Sequence, residues 1–527
     1  MNSGKSDLTK NDMVVMLLLV LIGFGIRLYL VQFYDVISAD GIAYVNIAKN
    51  FITGKGLSAA THYPPFYPIL LGLASVLFKD FETAGLAVSI VMGSLIAVPV
   101  FLLGSDFFSR KVGLIAAILA VTWPTLRLWS TNVMSQATYI TLLLFAIYFL
   151  WQGYRKSSLL SSAAAGVFFA CAHLTRSEGV IVLFSGAAVL IVFTFINRLS
   201  PRKLLYVLLS VGVFFMVFSP YLIMLHDLTG KWQLTGKGKV AIADALSEYL
   251  GKPDLKHDPS FKEIGFIDLF RMYPDYIRTN YLKNIKACWN EMLPLYGWIL
   301  AVIGCISGVT ARDKVFERAY LLATFAPLTV IIVFFFIGPE YTQSYLPVLF
   351  LCAGNGVMTI AQWITPRYEA GTKFSVIRSG WCLPVFIVVL YGAWLVAKQI
   401  PADRNKPYEY TKDGGRFDDK RIGLRLNKIL PAEAILMTRS GRIGFYSQRQ
   451  YVMPPQADYA GIIEYAKKHK AGYLIATIVM LNMRPQLEFL YDPIFEPGKP
   501  FTPPPELELI EVAQEPGGVP YLVYRVK

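Results

Sequence analysis

SADGIAYVNIAKNFITGKGLSAATHYPPFYPILLG (38–72) comes directly after an apolar run from Met13 to about Val31. A membrane-crossing helix needs about 20 apolar residues, so the quoted stretch stands where the chain leaves a bilayer. An acid, Asp40, and a His-Tyr-Pro-Pro turn are thus set close to a membrane surface. Tyr-Pro-Pro removes two backbone donors and holds the chain extended, which suits re-entry into the membrane. The preceding run is too long for a signal-peptide core, and no small-residue cleavage site follows it. We read it as a retained signal-anchor.

Composition agrees with a membrane origin. Of 527 residues, 55% are hydrophobic and only 16% charged, against about a quarter charged in soluble domains. Mean hydropathy is +0.47. The expected class is a polytopic α-helical membrane protein with some water-facing mass. The formal charge of +14 fits cytoplasmic loops facing anionic lipid. It does not point to nucleic acid, because the chain has no Lys/Arg-rich run of the kind that binds phosphate backbones. The five cysteines show no CxxC spacing and none lies beyond Cys382, so neither a zinc site nor a disulfide framework is supported.

Eleven candidate spans follow from the apolar runs, at about 13–33, 84–103, 112–129, 133–151, 159–174, 179–196, 204–225, 291–309, 319–337, 343–364 and 381–398. The shorter run 66–78 is expected along the interface or inside the bundle. With a cytoplasmic N-terminus, the inside segments hold Arg110, Lys111, Arg155, Lys156, Arg198, Arg202, Lys203, Arg312, Lys314, Arg318, Arg367, Lys373 and Arg378. The short outside loops contain little beyond Arg176, as the positive-inside rule requires. Three features then share the outer face: the first loop (34–83), the Leu-Thr-Arg-Ser-Glu-Gly turn (174–179) and the long loop 226–290. The expected location is the inner (plasma) membrane, with a membrane domain over 1–398 and a periplasmic domain over 399–527. In that tail AEAILMT (432–438), AGYLIAT (471–477), LELIEVA (507–513) and YLVYRV (521–526) have strand character. RIGLRLNKIL (421–430) and ADYAGIIEYAKKHK (457–470) have helical spacing, so a small α/β layer is expected.

The polar residues of the outer face each have two readings. Asp40 is either an acid at the start of a helix or a general base that orients an acceptor. His62 binds phosphate, shuttles a proton or faces water. Arg176 and Glu178 join two apolar spans, where charge must be paired or line a polar cavity. They pair with each other or serve an anionic headgroup, which guanidinium groups grip through two donors. Arg27, near the outer end of the first span, either snorkels to the interface or joins them. Lys231, Lys237 and Lys239 form a glycine-spaced basic loop that lacks the P-loop pattern. Trp232 stacks on a sugar or anchors at the interface.

In order along the chain, the acidic first loop, YPPFYPILLG, LTRSEGVIVL, GPEYTQSYLPVLFL (338–351) and the α/β tail resemble a known family. They are similar to the GT-C glycosyltransferases of the protein O-mannosyltransferase and aminoarabinose transferase type. The resemblance covers the first 200 residues best and concerns architecture alone in the tail. It implies a polyprenyl-phosphate sugar donor, an outer-face reaction that inverts the anomeric carbon, and Asp40 as the catalytic aspartate. Arg176 is implied as the group that stabilises the leaving phosphate. Glu178, His62, Tyr63, Tyr44, Arg27, Lys237, Lys239 and Tyr345 are further candidates for substrate binding. The acceptor is a lipid, a glycan or a protein, and dependence on a divalent metal is left open. Three departures stand out: Gly41 follows Asp40 where many relatives have a second acid, Gln136 stands where they often have glutamate, and Arg-Ser-Glu replaces Arg-Pro-Glu. The alternatives are a transporter or lipid flippase, against which no inverted repeat of broken spans is visible, and a catalytically inactive assembly subunit.

Overall fold

The computed structural model describes residues 8–33, 36–237, 242–243, 246–247, 249–251, 264–311, 313–335, 339–364, 382–405, 416–516 and 518–527. Lys239, Arg312, Arg367, Lys373 and Arg378 lie outside the described residues. The chain divides into two compact units, one of Met1–Val31 with Tyr44–Gln399, the other of Gln32–Ala43 with Ile400–Lys527.

The first unit is a bundle of apolar helices, and a helix stands at each of the eleven expected places. Six described helices are long and apolar enough to cross a membrane, or up to eight when each bent pair counts as one span. Others are short. Leu159–His173 has 15 residues, which at 1.5 Å per residue reach about 22 Å, less than the hydrocarbon thickness. The protein is a multi-pass membrane protein.

Local sequence sets the boundaries of these helices. Thr9 caps Lys10–Leu30: its hydroxyl accepts the Asp12 N–H at 3.2 Å, and the Asp12 carboxylate accepts the Thr9 N–H at 2.8 Å, a reciprocal capping box. Pro124 forces Trp123 into an extended conformation (ψ 131°) and removes one amide donor. Arg110–Thr122 and Pro124–Ser130 are accordingly bent by 55°. Helices Leu295–Thr310 and Leu346–Ile364 meet backbone to backbone. A Cβ on Gly304 would lie 1.8 Å from the Cys352 carbonyl, and one on Gly356 2.1 Å from that of Leu300, the small-residue contact typical of membrane helices.

One stretch agrees with expectation and one differs from it. The run 66–78 is a helix, Phe66–Phe78, buried through Tyr67, Pro68, Leu71, Gly72 and Ser75 while Val76 and Leu77 are 70% and 81% exposed. The long segment 226–290 is also partly helical, through Phe266–Met272 and Pro274–Met292. Their apolar spacing was masked in the sequence by interleaved basic residues.

The second unit holds a five-stranded sheet: β1 (Ile435–Thr438), β2 (Gln450–Val452), β3 (Tyr473–Thr477), β4 (Leu507–Ala513) and β5 (Tyr521–Val526). The strand order is β2-β1-β3-β5-β4. β1 is parallel to β2 and β3, whereas β5 is antiparallel to both β3 and β4. Successive side chains point to opposite faces, and both faces are covered. Leu436, Ile475 and Val523 pack with Ile422, Leu426 and Ile443 on one side. Met437, Leu474, Ala476 and Leu522 pack with Ile462, Ile463 and Met480 on the other. Only β2, three residues long, carried no signal in the sequence.

Candidate active site

The Leu-Thr-Arg-Ser-Glu turn is built tightly. Helix Leu159–His173 ends by passing the Arg176 N–H to the Ala172 carbonyl at 2.8 Å, and the next helix begins at Gly179. A Cβ on Gly179 would sit 2.8 Å from the His173 amide nitrogen, so only glycine closes the turn. The His173 ring nitrogens face two carbonyls, those of Ser177 at 3.1 Å and Leu234 at 3.0 Å. One imidazole thus ties the turn to the loop after Thr229. The same loop presses on the first-loop turn, because a Cβ on Gly236 would be 2.1 Å from the Thr61 carbonyl oxygen.

At the apex, Arg176 Nη2 donates to Glu178 Oε1 at 2.9 Å, and Arg176 is only 9% exposed. Its guanidinium lies over the Tyr341 ring at 5.0 Å and the Tyr139 ring at 5.9 Å. Lys237 Nζ approaches the Tyr341 hydroxyl at 3.4 Å. Burial works against both charges of the pair, yet the neighbours outweigh it. Glu178 holds the Arg176 guanidinium above its ordinary range, while Arg176 and Lys237 hold the Glu178 carboxyl below its own. The pair therefore stays ionised.

Gln136, Tyr139, Ile140, Arg176, Glu178, Tyr341 and Ser344 line a small cleft, with a cavity volume of about 10 Å³. In its wall the Gln136 Oε1 and the Tyr139 hydroxyl are buried without a hydrogen-bond partner. Leaving such groups unmet costs about 1–3 kcal/mol each. Two unmet polar groups beside a cation and an acid describe a space suited to a polar ligand.

The first-loop aromatics flank this cleft. Tyr44 shares a hydrogen bond with Ser135 at 3.0 Å, next in sequence to Gln136, and its ring meets Tyr63 at 5.2 Å and Tyr67 at 5.1 Å edge-on. The Phe66 N–H donates to the Leu174 carbonyl at 2.8 Å, so the Tyr-Pro-Pro-Phe turn and the Arg-Ser-Glu turn are joined through the backbone.

Of the residues singled out from sequence, Arg176, Glu178 and Lys237 come together, with Tyr44 and Tyr63 beside them. His62 packs edge-on against Tyr63 at 4.7 Å and does not line the cleft. Tyr345 is buried against Phe325 at 5.9 Å, next to Ser344. Arg27 is elsewhere. It neither snorkels nor reaches the cleft, being 0% exposed and bonded to Ser130 Oγ at 2.6 Å and the carbonyls of Gly23 and Val121 at 3.1 and 3.4 Å. Its role there is to brace helices. Asp40 sits in the first turn of Ala39–Ile52, in the second unit. The helix is capped by Ser38, whose hydroxyl accepts the Gly41 N–H at 2.9 Å, so the Asp40 carboxylate does not serve as the cap. Tyr139, Tyr341 and Ser344 had no assigned role in the sequence, although GPEYTQSYLPVLFL contains two of them. Among the described residues, no three His, Cys, Asp or Glu side chains gather as a metal site.

Comparison with known proteins bears on the fold. Residues 62–224, which carry the Tyr-Pro-Pro and Arg-Ser-Glu turns, match the family model of dolichyl-phosphate-mannose-protein mannosyltransferase. No curated protein sequence matches the chain. Among solved structures, the chain is similar to ArnT from Cupriavidus metallidurans bound to undecaprenyl phosphate, with 12% identity, 98% of each chain covered and a TM-score of 0.58. It is also similar to the archaeal oligosaccharyltransferase AglB from Archaeoglobus fulgidus, in complex with an inhibitory peptide and a dolichol-phosphate. There the identity is 12% and the TM-score 0.55, over 89% of this chain and 70% of that one. At such identity the likeness establishes a shared fold. The architecture read as GT-C from the sequence is borne out.

Proposed function

We propose that this chain, built on the GT-C fold, is an integral membrane glycosyltransferase using a polyprenyl-phosphate sugar as donor. The reaction is placed at the extracytoplasmic face and inverts the anomeric carbon. An acceptor hydroxyl oxygen attacks that carbon, its proton passes to the Asp40 carboxylate, and the carbon–oxygen bond to phosphate breaks. The electron pair leaves with polyprenyl phosphate.

The observation that carries this reading is the cleft in which an ionised Arg176 meets the unpartnered Gln136 Oε1 and Tyr139 hydroxyl. Arg176 and Lys237 against Glu178 leave one net positive charge. A sugar phosphodiester has one negative charge, so the ground state is balanced. As the bond breaks, a second charge develops on the phosphate, and a fixed guanidinium in a desolvated cleft stabilises it most at that moment. Lipid phosphate is already a good leaving group, so charge stabilisation matters more than a strong general acid. The ligands bound in the two similar structures, undecaprenyl phosphate and dolichol-phosphate, agree with that donor class.

The test is to incubate purified protein with a panel of polyprenyl-phosphate sugars and follow donor loss and release of polyprenyl phosphate. Turnover of one donor, lost in a folded Asp40→Asn variant, is expected. Movement of a labelled lipid across vesicles with no donor cleavage would instead favour a flippase. Full turnover by Asp40→Asn would remove that acid from the chemistry.

A further inference from the structure

Ile37 lies three residues ahead of Asp40 and is fully buried. Both of its backbone polar groups are held by side chains of the short helix Gly441–Ser447. Its N–H donates to the Tyr446 hydroxyl at 2.9 Å, and its carbonyl accepts from Arg442 Nε at 3.0 Å. Such irregular segments ordinarily leave these groups to water. Here a residue some 400 positions away in the chain holds each of them.

The two side chains are themselves fixed. Arg442 Nη1 donates to the Asp419 carboxylate at 3.2 Å, and the same carboxylate oxygen accepts from Ser440 Oγ at 2.6 Å. Tyr446 is 7% exposed, and its Cβ is so close to Gly423 that a Cβ there would lie 2.7 Å away. Lys420 Nζ stands over the Tyr446 ring at 5.1 Å. All of these groups, with Ile37 and Asp40, belong to the second unit.

The fixation passes along the chain to the acid. Ile37 precedes Ser38, which accepts the Gly41 N–H on its hydroxyl at 2.9 Å and the Ile42 N–H on its carbonyl at 3.1 Å. Those two bonds define the first helical turn, and Asp40 is inside it. With residue 37 held on both its amide and its carbonyl, the start of the helix cannot fray or rotate without breaking two hydrogen bonds.

We propose that Arg442 and Tyr446 are positioning residues for Asp40, so that the C-terminal unit takes part in transfer by setting the orientation of the first-loop acid. The proposal rests on the reading of Asp40 as the general base. A base must be held to within a fraction of an ångström and a few tens of degrees to act well. Loosening its helix therefore lowers kcat. The cleft of Arg176, Gln136 and Tyr139 is untouched, so donor KM stays constant.

The experiment uses the full chain in lipid nanodiscs, with Tyr446→Phe, Arg442→Ala, Arg442→Lys and Asp40→Asn. Hydrogen exchange is read on peptides covering 36–42 and on the tail, and kcat and KM are measured for the polyprenyl-phosphate sugar that the donor panel identifies. Losing one such bond in Tyr446→Phe should speed exchange at the Ile37 amide and lower kcat about 3- to 10-fold at unchanged KM. Arg442→Ala should lower kcat further, and Arg442→Lys should restore part of it. Two results would overturn the proposal: wild-type kcat in both Tyr446→Phe and Arg442→Ala while Asp40→Asn is inactive, or faster exchange throughout the tail without a local change at 36–42. Full activity in Asp40→Asn would sink the reading of the base instead. In that case the exchange at Ile37 still reports whether the tether exists.

Discussion

Removing Glu178 alone strands a buried guanidinium, a change that typically costs about 3–5 kcal/mol. Its effect on activity would therefore be confounded with folding. The informative set is Glu178→Gln, Arg176→Gln and the double variant. Glu178→Gln should lower the melting temperature, and the double variant should recover most of that loss because no uncompensated charge remains. Both variants lacking Arg176 should lose about 100-fold or more in donor turnover. Wild-type turnover by the stable double variant would exclude Arg176 from leaving-group stabilisation. The same pair makes a statement about pH. Glu178 is held below the usual carboxylate range by Arg176 and Lys237, so its contribution is full above the ordinary glutamate range and is lost as pH falls through the depressed value. Near neutrality the charge of the cleft is constant, and an acid limb in kcat should come from another group.

Helix contacts in the bundle depend on glycine at particular crossings. Gly304→Ala puts a methyl group against the Cys352 carbonyl and must push the Leu295–Thr310 and Leu346–Ile364 helices apart. Such overpacking costs about 1–3 kcal/mol or more. Gly25 has nothing within 4 Å of its would-be Cβ, so Gly25→Ala should be neutral or slightly stabilising, since alanine favours the helix by about 1 kcal/mol. Thermal melts of the two variants side by side check this; equal melting temperatures would contradict the close crossing. The Trp123–Pro124 bend interrupts what was expected as one span, 112–129, although proline acts locally. The crossing of two glycine-bearing helices was not readable from the sequence, because the spacing of small residues does not say which helix they meet.

Three basic residues of the bundle, Lys203, Lys314 and Arg318, gather at one end. Lys203 donates to the carbonyls of Tyr154 and Arg155 at 3.2 and 3.1 Å. Lys314 donates to those of Ser105 and Phe108, and Arg318 to that of Phe107. These cations meet the carbonyl ends of helices Gln136–Lys156 and Ala97–Phe107, where the helix dipole favours them. Helix Leu159–His173 runs from beside that end to the Arg-Ser-Glu turn, so the candidate cleft is at the opposite end of the bundle. By the positive-inside rule, the reading proposed above predicts that the Arg-Ser-Glu turn and residues 399–527 both lie outside the cytoplasm. A C-terminal reporter active only outside the cytoplasm should be active, whereas activity of a reporter that works only inside would refute the topology.

Much of this was already legible in the linear chain, because apolar run length, proline, glycine and the asymmetry of lysine and arginine act through neighbours or through the membrane itself. These features located the helices, the sheet-bearing tail and the Tyr-Pro-Pro and Arg-Ser-Glu turns. They could not bring Gln136, Tyr139, Arg176, Glu178 and Tyr341 to one cleft. Convergence across some 200 residues is decided by helix packing, and no local pattern encodes which buried hydroxyl or amide is left without a partner. Nor could they separate Arg27 from Arg176. Both are arginines near the end of an apolar run, yet one is buried against Ser130 and carbonyls while the other pairs with Glu178 beside a small polar cleft. The surroundings that burial creates, rather than residue type, set what each guanidinium can do.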